Sequence, residues 1–202
     1  MNIDAIMRTA PVIPVIVIED VAHAVPLAEA LVAGGLRVLE VTLRTPAALA
    51  SITAMKQVEG AIVGAGTVTN PKELDAALAA GSEFIVSPGL TEPLGKAAIA
   101  SGVPFLPGIA NAGDIMRGLD LGLERFKFFP AMAAGGLPAL KALAAPFGNV
   151  RFCPTGGISL DNAAEWLAFD PVLCVGGSWV SPKGAPNQPM IEAMAREAFG
   201  LR

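Results

Sequence analysis

Residues that bind metals or form disulfides are scarce in this chain. It has two cysteines, one histidine and no tyrosine. Cys153, Cys174 and His23 form no cluster with the spacing of zinc ligands, so we expect no metal-dependent mechanism. We also expect no cofactor. Each cysteine lies within an apolar run, which predicts two small buried side chains in a reducing cytoplasm, with a disulfide as the less favoured alternative.

Long apolar runs and basic runs are also missing. No stretch of about 18 uninterrupted apolar residues occurs, so the sequence predicts no membrane span. The N-terminal segment carries Asp4 and lacks the apolar core of a signal peptide, which favours a cytoplasmic protein. The net charge is -4 and no run of Lys or Arg is present, so we expect neither nucleic acid nor a membrane as a partner.

Apolar residues, in contrast, are abundant. They make up 53% of the 202 residues, while charged residues make up 16%. Most faces of the helices and strands must therefore be covered, as in α/β folds with a parallel sheet. No linker or low-complexity tract divides the sequence, and barrels of this length are commonly single domains. We expect residues 1–202 to form one domain.

Glycine recurs along the chain with a nearly constant spacing. The intervals are 25, 21, 21 and 20 residues, running through Gly35, Gly60, Gly81, Gly102 and Gly122. Most of these glycines close a helical pattern and open an apolar run, as glycine does just beyond the C-terminal end of a helix. Each interval has the length of one βα unit.

Eight apolar runs predict eight β-strands. They fall near residues 12–18, 37–43, 61–65, 83–87, 105–108, 125–129, 151–154 and 172–175. Capping residues mark the helix starts that follow, at Asp20, Thr45, Asn70, Thr91, Asn111, Ser159 and Asn187. Eight such units close most simply into a (β/α)8 TIM barrel, with a short extra helix at residues 2–9. An open doubly wound sheet is the alternative, but no Gly-x-Gly-x-x-Gly motif follows the first strand.

A lysine stands inside the most aromatic run. The segment 125–130 places Lys127 between Phe126 and Phe128. A strand covered on both faces normally has no charge, and burial favours the neutral amine, which is the form that attacks a ketone to give a Schiff base. The alternative is an edge strand that keeps the lysine head in water.

The second predicted strand ends with three polar side chains on one face. Glu40, Thr42 and Arg44 alternate with apolar residues, so they point the same way, and we expect that direction to be inward. Glu40 can carry protons and Arg44 can hold a carboxylate. A simple ion pair between Glu40 and Arg44 is the alternative. After the third strand, Thr67 offers a hydroxyl, unless it is only a spacer in a tight turn.

Glycine pairs follow the last two strands. They are Gly156-Gly157 and Gly176-Gly177, the second followed by Ser178. Glycine-rich turns at these two strands form the recurring phosphate site of barrels, in which backbone N–H groups and a helix N-terminus hold the anion. Ordinary turns are the alternative. The turns after strands four and five, including Pro88, are expected to shape the pocket wall.

Six blocks of sequence resemble the 2-keto-3-deoxy-6-phosphogluconate (KDPG) aldolases, class I Schiff-base enzymes of the Entner–Doudoroff pathway. The blocks are VLEVTLRT at 38–45, VGAGTV at 63–68, SPGLT at 87–91, FKFFPA at 126–131, RFCPTGGI at 151–158 and CVGGSW at 174–179. The resemblance implies a metal-free barrel that forms a homotrimer. It also implies a phosphorylated keto acid as the substrate, cleaved to pyruvate and glyceraldehyde 3-phosphate, with side activity on 4-hydroxy-2-oxoglutarate.

The resemblance also implies roles for individual residues. Lys127 would form the Schiff base and Glu40 would be the acid/base residue. Arg44 and Thr67 would bind the carboxylate of pyruvate. The other implied site residues are Pro88 and Phe129 in the pocket wall, Thr155 at the sugar hydroxyls, and Gly156, Gly157, Gly177 and Ser178 around the phosphate.

Two positions depart from the family pattern. Met132 stands where many relatives have Glu, and Ala110-Asn111 stand where many have Ser-Thr. Neither removes a residue assigned to the chemical step. The alternatives are a galactonate-series aldolase, a sugar-phosphate isomerase, and a non-catalytic phosphate-binding barrel. Trp179 is a candidate for subunit contacts, with a surface or core role as the alternative.

Overall fold

The computed structural model of the chain describes residues 1–201. Helices and parallel strands alternate along it. The strands are β1 Val12–Ile16, β2 Val38–Thr42, β3 Ile62–Gly66, β4 Ile85–Val86, β5 Phe105–Leu106, β6 Gly108–Ile109, β7 Arg125–Phe128, β8 Arg151–Pro154 and β9 Val175–Gly177. The α-helices are α1 Ile3–Met7, α2 Ala24–Ala33, α3 Ala48–Met55, α4 Pro71–Ala79, α5 Glu92–Ser101, α6 Ala112–Asp120, α7 Gly136–Ala144, α8 Leu160–Leu167 and α9 Gln188–Phe199. Among the described residues, no helix is long and apolar enough to cross a bilayer.

The strands form a curled parallel sheet, which confirms the predicted α/β class. Six strands pair in the order β5-β4-β3-β2-β1-β9, and three more pair in the order β6-β7-β8. Two isolated bridges, Phe152 with Val172 and Thr155 with Gly176, connect β8 to the chain at β9. The predicted N-terminal helix is present as α1.

Several predicted strands are shorter or longer in the structure by one to three residues, and two differ in continuity or position. The fifth is divided at Pro107, because proline has no N–H for the ladder. β5 therefore pairs with β4, and β6 pairs with β7. The eighth strand is predicted at 172–175. In the structure its regular pairing with β1 begins at Val175 and runs to Gly177, two residues beyond the predicted end.

Most predicted helix starts are confirmed by capping hydrogen bonds. Side-chain oxygens accept from backbone N–H groups in the first turn, and these caps are Asn70, Thr91, Asn111 and Asn187. Ser159 forms a reciprocal capping box with Asn162. Asp20 caps a short 3-10 helix, Val21–His23, that precedes α2. Thr45 does not cap α3, because its hydroxyl donates to the Ile18 carbonyl and the helix begins at Ala48.

The predicted glycine punctuation is also confirmed. Gly35, Gly60, Gly81, Gly102 and Gly122 all have positive φ, between 73° and 98°. Residues with a side chain rarely adopt this backbone conformation. Glycine adopts it at low cost, so it ends the helix and lets the chain turn into the next strand.

Apolar side chains form two separate clusters. The larger one lies between the strands and the helices and includes Leu39 and Val41. The smaller one contains Val38, on the other face of the same strand, together with Ile6 and Met7 of α1. Helix α1 therefore covers the end of the sheet where the strands begin. The polar side chains predicted on β2 lie toward the opposite end, at the carboxyl ends of the strands.

Both cysteines belong to the smaller cluster. Cys153 is 2% exposed and Cys174 is 0% exposed. The prediction that they are small buried side chains is confirmed, and their role is to fill the inner layer of the sheet.

Candidate active site

The centre of the site is an ion pair between Lys127 and Glu40. Lys127 lies on β7, between β6 and β8, so the edge-strand alternative is wrong. Its Nζ donates a hydrogen bond to Oε1 of Glu40 at 3.0 Å. The two side chains are 7% and 3% exposed. A buried ion pair is costly to desolvate, and its presence at one end of an otherwise apolar sheet indicates a functional role.

An aromatic ring also faces the lysine. Nζ of Lys127 lies 5.4 Å from the centroid of the Phe129 ring, a cation–π distance. Lys127 is paired across the sheet with Gly108 and Cys153. These neighbours are small, and the lysine head therefore has room to meet a substrate carbonyl.

Arg44 remains available for a ligand. The alternative of an ion pair between Glu40 and Arg44 is wrong, because Glu40 pairs with Lys127. Within residues 1–201, Arg44 has no carboxylate within ion-pair distance. Its Nε donates instead to the hydroxyl of Thr42, at 3.1 Å. A cation without a carboxylate partner at the edge of a cavity is suited to an anionic group.

Thr67 has an unusual backbone conformation. Its φ is 60°, and among the described residues it is the one non-glycine residue with positive φ. A β-branched residue rarely adopts this conformation, and such outliers concentrate at functional sites. The turn gives Thr67 a place on the wall of the cavity that contains Lys127.

That cavity, here called the lysine cavity, has a volume of about 200 Å³. It brings together six of the residues predicted from the sequence, along with two others. Its lining residues are Val15, Thr42, Arg44, Thr67, Pro88, Lys127, Phe129 and Thr155.

A second cavity adjoins it and is here called the glycine cavity. Its volume is about 160 Å³. The lining residues are Val15, Arg44, Phe129, Thr155, Gly156, Gly157, Ile158, Gly176 and Ser178. Four of these also line the lysine cavity, so the two cavities form one continuous region. Arg44 is the charged residue common to both.

The glycine cavity is bounded by a turn that only glycine adopts easily. Gly156 and Gly157 have φ values of 102° and 77°. Helix α8 begins three residues later, after its cap Ser159. Backbone N–H groups in such a turn and at a helix start are suited to an anion.

Gly176 also makes room for a neighbouring side chain. A Cβ on Gly176 would lie 2.2 Å from Oγ1 of Thr155. The missing side chain therefore makes room for Thr155, which is 5% exposed and lines both cavities.

Two predicted site residues, Glu40 and Gly177, are not among the residues that line the cavities. Glu40 contacts Lys127 instead. Gly177 is buried, and a Cβ on it would meet the indole ring of Trp179 rather than the cavity. The Trp179 ring is half-buried, and its Nε1 has no hydrogen-bond partner within residues 1–201. Side chains alternate along β9, so Gly176 faces inward and Gly177 faces outward.

Sequence reasoning left four lining residues out of the predicted site: Val15, Thr42, Ile158 and Gly176. The alternation along β2 had indicated Thr42. Val15 and Ile158 are apolar, and their positions carry no comparable signal.

The two departures from the family pattern lie outside the lysine cavity. Met132 is 48% exposed, and its side chain lies beside Gly157. Asn111 is exposed and caps α6 by accepting from the backbone N–H of Asp114. Its amide therefore stabilises the helix start.

Comparison of the sequence with known proteins identifies one family. A family model described as KDPG and KHG aldolase matches residues 3–196. The 2-dehydro-3-deoxy-phosphogluconate aldolase of Zymomonas mobilis is 64% identical, over 100% of this chain and 97% of that protein.

Two solved structures are similar over nearly their whole length. The 2-keto-3-deoxy-6-phosphogluconate aldolase of Zymomonas mobilis with 3-phosphoglycerate has a TM-score of 0.98 and 62% identity, covering 100% of this chain and 96% of that chain. The KDPG aldolase of Legionella pneumophila, with pyruvate captured as a covalent carbinolamine intermediate, has a TM-score of 0.96 and 45% identity, covering 99% of each chain. The chain belongs to the KDPG and KHG aldolase family.

Proposed function

We propose that the protein is a class I aldolase that cleaves 2-dehydro-3-deoxy-6-phosphogluconate to pyruvate and glyceraldehyde 3-phosphate. The observation that carries the proposal is the buried contact between Lys127 and Glu40, at 3.0 Å. A lysine amine beside a carboxylate is the pair that Schiff-base chemistry needs, one as the nucleophile and one as the proton carrier. The relative from Zymomonas mobilis carries the name of this activity.

The chemistry begins at the C2 ketone of the substrate. Lys127 transfers a proton to Glu40, and the neutral amine adds to C2 to give a carbinolamine. Glu40, directly or through a water molecule, returns the proton to the departing hydroxyl, and an iminium forms as water leaves. The Legionella pneumophila structure contains pyruvate at the carbinolamine stage, which supports this order for a relative.

Cleavage then follows from the electron demand of the iminium. Loss of the C4 hydroxyl proton to Glu40 breaks the C3–C4 bond, and the electron pair moves to the iminium to give an enamine. Glyceraldehyde 3-phosphate is released. The enamine takes a proton at C3, and water hydrolyses the resulting iminium to pyruvate and free Lys127.

Binding of the two ends of the substrate is assigned to the two cavities. Arg44 and Thr67 hold the carboxylate beside Lys127, because Arg44 has donors without an acidic partner among the described residues. Thr155 contacts the hydroxyls, and Pro88 and Phe129 form the wall. The phosphate is held around Gly156, Gly157 and Ser178, with the backbone of Gly177 behind them.

Activity on 4-hydroxy-2-oxoglutarate has separate support. The family description includes KHG aldolase. That substrate lacks the phosphate, and the lysine cavity contains Lys127, Arg44 and Thr67 without any contribution from the turn at Gly156 and Gly157. The proposed gluconate-series preference is supported by the identity of 64% to an enzyme of that name.

The larger organisation is proposed on the same basis. We propose a single domain that closes as a (β/α)8 barrel, because bridges connect β8 to β9 and only Pro107 separates β5 from β6. A cytoplasmic homotrimer acting in the Entner–Doudoroff pathway, without metal or cofactor, is what membership of the family favours.

Borohydride trapping with pyruvate tests the function. Reduction of an iminium on Lys127 adds a stable group to one peptide, which mass mapping identifies. Lys141, whose Nζ also faces an aromatic ring at 5.8 Å, is the internal comparison and should stay unmodified. Modification of Lys127 supports the aldolase. A folded sample without any adduct would overturn it in favour of an isomerase or a non-catalytic phosphate-binding protein.

A further inference from the structure

Arg44 is oriented by a neighbour on its own strand face. Its side chain lines both cavities and has one hydrogen bond within residues 1–201, from Nε to Oγ1 of Thr42. Arg44 itself is exposed, whereas Thr42 is 2% exposed. The contact therefore connects a solvent-facing cation to a fixed point inside the sheet.

The direction of this contact is determined by a second hydrogen bond. The hydroxyl of Thr42 donates to the carbonyl oxygen of Ile16 at 2.8 Å. A hydroxyl has one proton, so with that proton committed to Ile16 the oxygen can only accept from Arg44. The two hydrogen bonds therefore connect Nε of Arg44, through the hydroxyl of Thr42, to the carbonyl of Ile16 on β1.

Holding Nε leaves the outer part of the guanidinium available. The group is planar, so fixing Nε from one side limits rotation of the plane and leaves the terminal N–H groups for an anion. Lysine in place of Arg44 has no Nε–H equivalent and could not be held in this way.

We propose that Thr42 is a positioning residue for the keto-acid substrate. It acts through Arg44, by fixing the guanidinium that binds the carboxylate. The inference rests on the proposed function, since it assumes that Arg44 binds the carboxylate of pyruvate. A purely structural Thr42 would fill space on β2, and a side chain of the same shape without a hydroxyl would replace it.

Three substitutions separate these roles. Thr42→Val keeps the shape and removes the hydroxyl, Thr42→Ser keeps the hydroxyl and removes a methyl, and Thr42→Ala removes both. The measurements are the pyruvate concentration that gives half-maximal borohydride trapping, and kcat and KM for cleavage. Thr42→Val and Thr42→Ala should raise both the half-saturating pyruvate concentration and KM by roughly tenfold, as expected for the loss of a hydrogen bond to a charged group. In both variants kcat should stay within about threefold of the wild-type value. Thr42→Ser should restore the wild-type values.

A double-substitution cycle gives a second readout. In an Arg44→Lys background, Thr42→Val should have no further effect on KM, because the bond it removes is already absent. Thr42→Ala makes the same comparison if Thr42→Val does not fold.

The outcomes are distinct. Wild-type protein that traps no pyruvate contradicts the proposed function itself. Wild-type trapping on Lys127 with unchanged affinity in Thr42→Val and Thr42→Ala overturns the positioning role alone. Equal impairment of the Ser and Val variants, or a full additional loss in the Arg44→Lys background, also overturns it.

Discussion

The carboxylate of Glu40 occupies the space that a side chain on Gly66 would fill. A Cβ on Gly66 would lie 2.2 Å from Oε1 and 2.7 Å from Cγ of Glu40. Gly66 is paired across the sheet with Thr42, two residues beyond Glu40 on β2. The glycine at the end of β3 therefore allows a neighbouring strand to aim its carboxylate at Lys127.

Gly66→Ala should displace Glu40 from Lys127. We expect kcat to fall by roughly a hundredfold, at the lower end of the loss of a general acid/base, because the carboxylate remains but is out of place. Steady-state kinetics and trapping on Lys127 measure this effect. Gly148→Ala is the control, since no atom lies within 4 Å of a Cβ there. Normal turnover in Gly66→Ala would contradict the assigned role of Glu40.

Direct changes to the ion pair should affect chemistry differently. Lys127→Ala should abolish turnover and trapping. Glu40→Gln should keep pyruvate binding and lower kcat by roughly 10²–10⁴-fold, because the amide cannot carry a proton. Near-normal cleavage by Lys127→Ala would disprove the Schiff-base mechanism.

The same pair should also show a distinctive effect on stability. Lys127→Met leaves the carboxylate of Glu40 buried without a partner, which should cost about 3–5 kcal/mol in the free energy of unfolding. Adding Glu40→Gln should recover much of that loss, because a neutral amide is cheaper to bury. Urea denaturation of both variants makes the comparison. A double variant less stable than Lys127→Met would contradict the argument.

A negative charge in the glycine cavity should discriminate between substrates. Ser178→Asp should lower kcat/KM for the phosphorylated substrate by roughly a hundredfold through like-charge repulsion, and leave 4-hydroxy-2-oxoglutarate within about threefold. Ser178→Asn has the same size without the charge and serves as the control. Equal losses on both substrates would place the phosphate elsewhere.

The attachment of α1 should depend on pH. Hydrogen bonds from Arg8 and Arg125 lower the pKa of Asp4 below its usual value of 3.8. The folded pKa is the lower one, so this contribution to stability is present above about pH 4 and is lost as the pH falls through the folded pKa. Asp4 is 30% exposed, and Asp4→Asn should cost about 0.5–1 kcal/mol at pH 7.

Chemical denaturation at pH 7 and near pH 3 tests this expectation. The difference between wild type and Asp4→Asn should shrink at the lower pH. Lys96→Met, which removes a salt bridge that is 64–65% exposed, is the comparison and should have little effect at either pH. A loss in Asp4→Asn that is the same at both pH values would contradict the ionic contribution.

The elements that carry the site could largely be predicted from the sequence. The alternation of Glu40, Thr42 and Arg44 fixed their common face, and the aromatic neighbours of Lys127 indicated a buried strand. The ends of the strands were less predictable. The sequence predicts the last strand at 172–175, which leaves Gly176 and Gly177 outside it. Pairing with β1, and not the local sequence, determines where β9 lies and which of the two glycines faces inward.

Contacts between distant segments were beyond sequence reasoning. The ion pair joins Glu40 on β2 to Lys127 on β7, which are 87 positions apart, and it depends on how the six-stranded and three-stranded groups of strands face each other. The positive φ of Thr67 could not be predicted either, because β-branched residues rarely adopt it and the neighbouring residues do not indicate it.

Helix α1 closes the side of the sheet opposite to the site. Ile6 and Met7 are 1% and 0% exposed, and they complete an apolar layer around the strand beginnings that also contains Cys153, the neighbour of Lys127 on β8. Buried apolar side chains close that side, so we expect solvent and substrate to reach the lysine from the carboxyl ends of the strands. In the proposed mechanism, the departing aldehyde and the hydrolytic water share this route. Both exchanges therefore take place at the same end of the sheet, on the side away from α1.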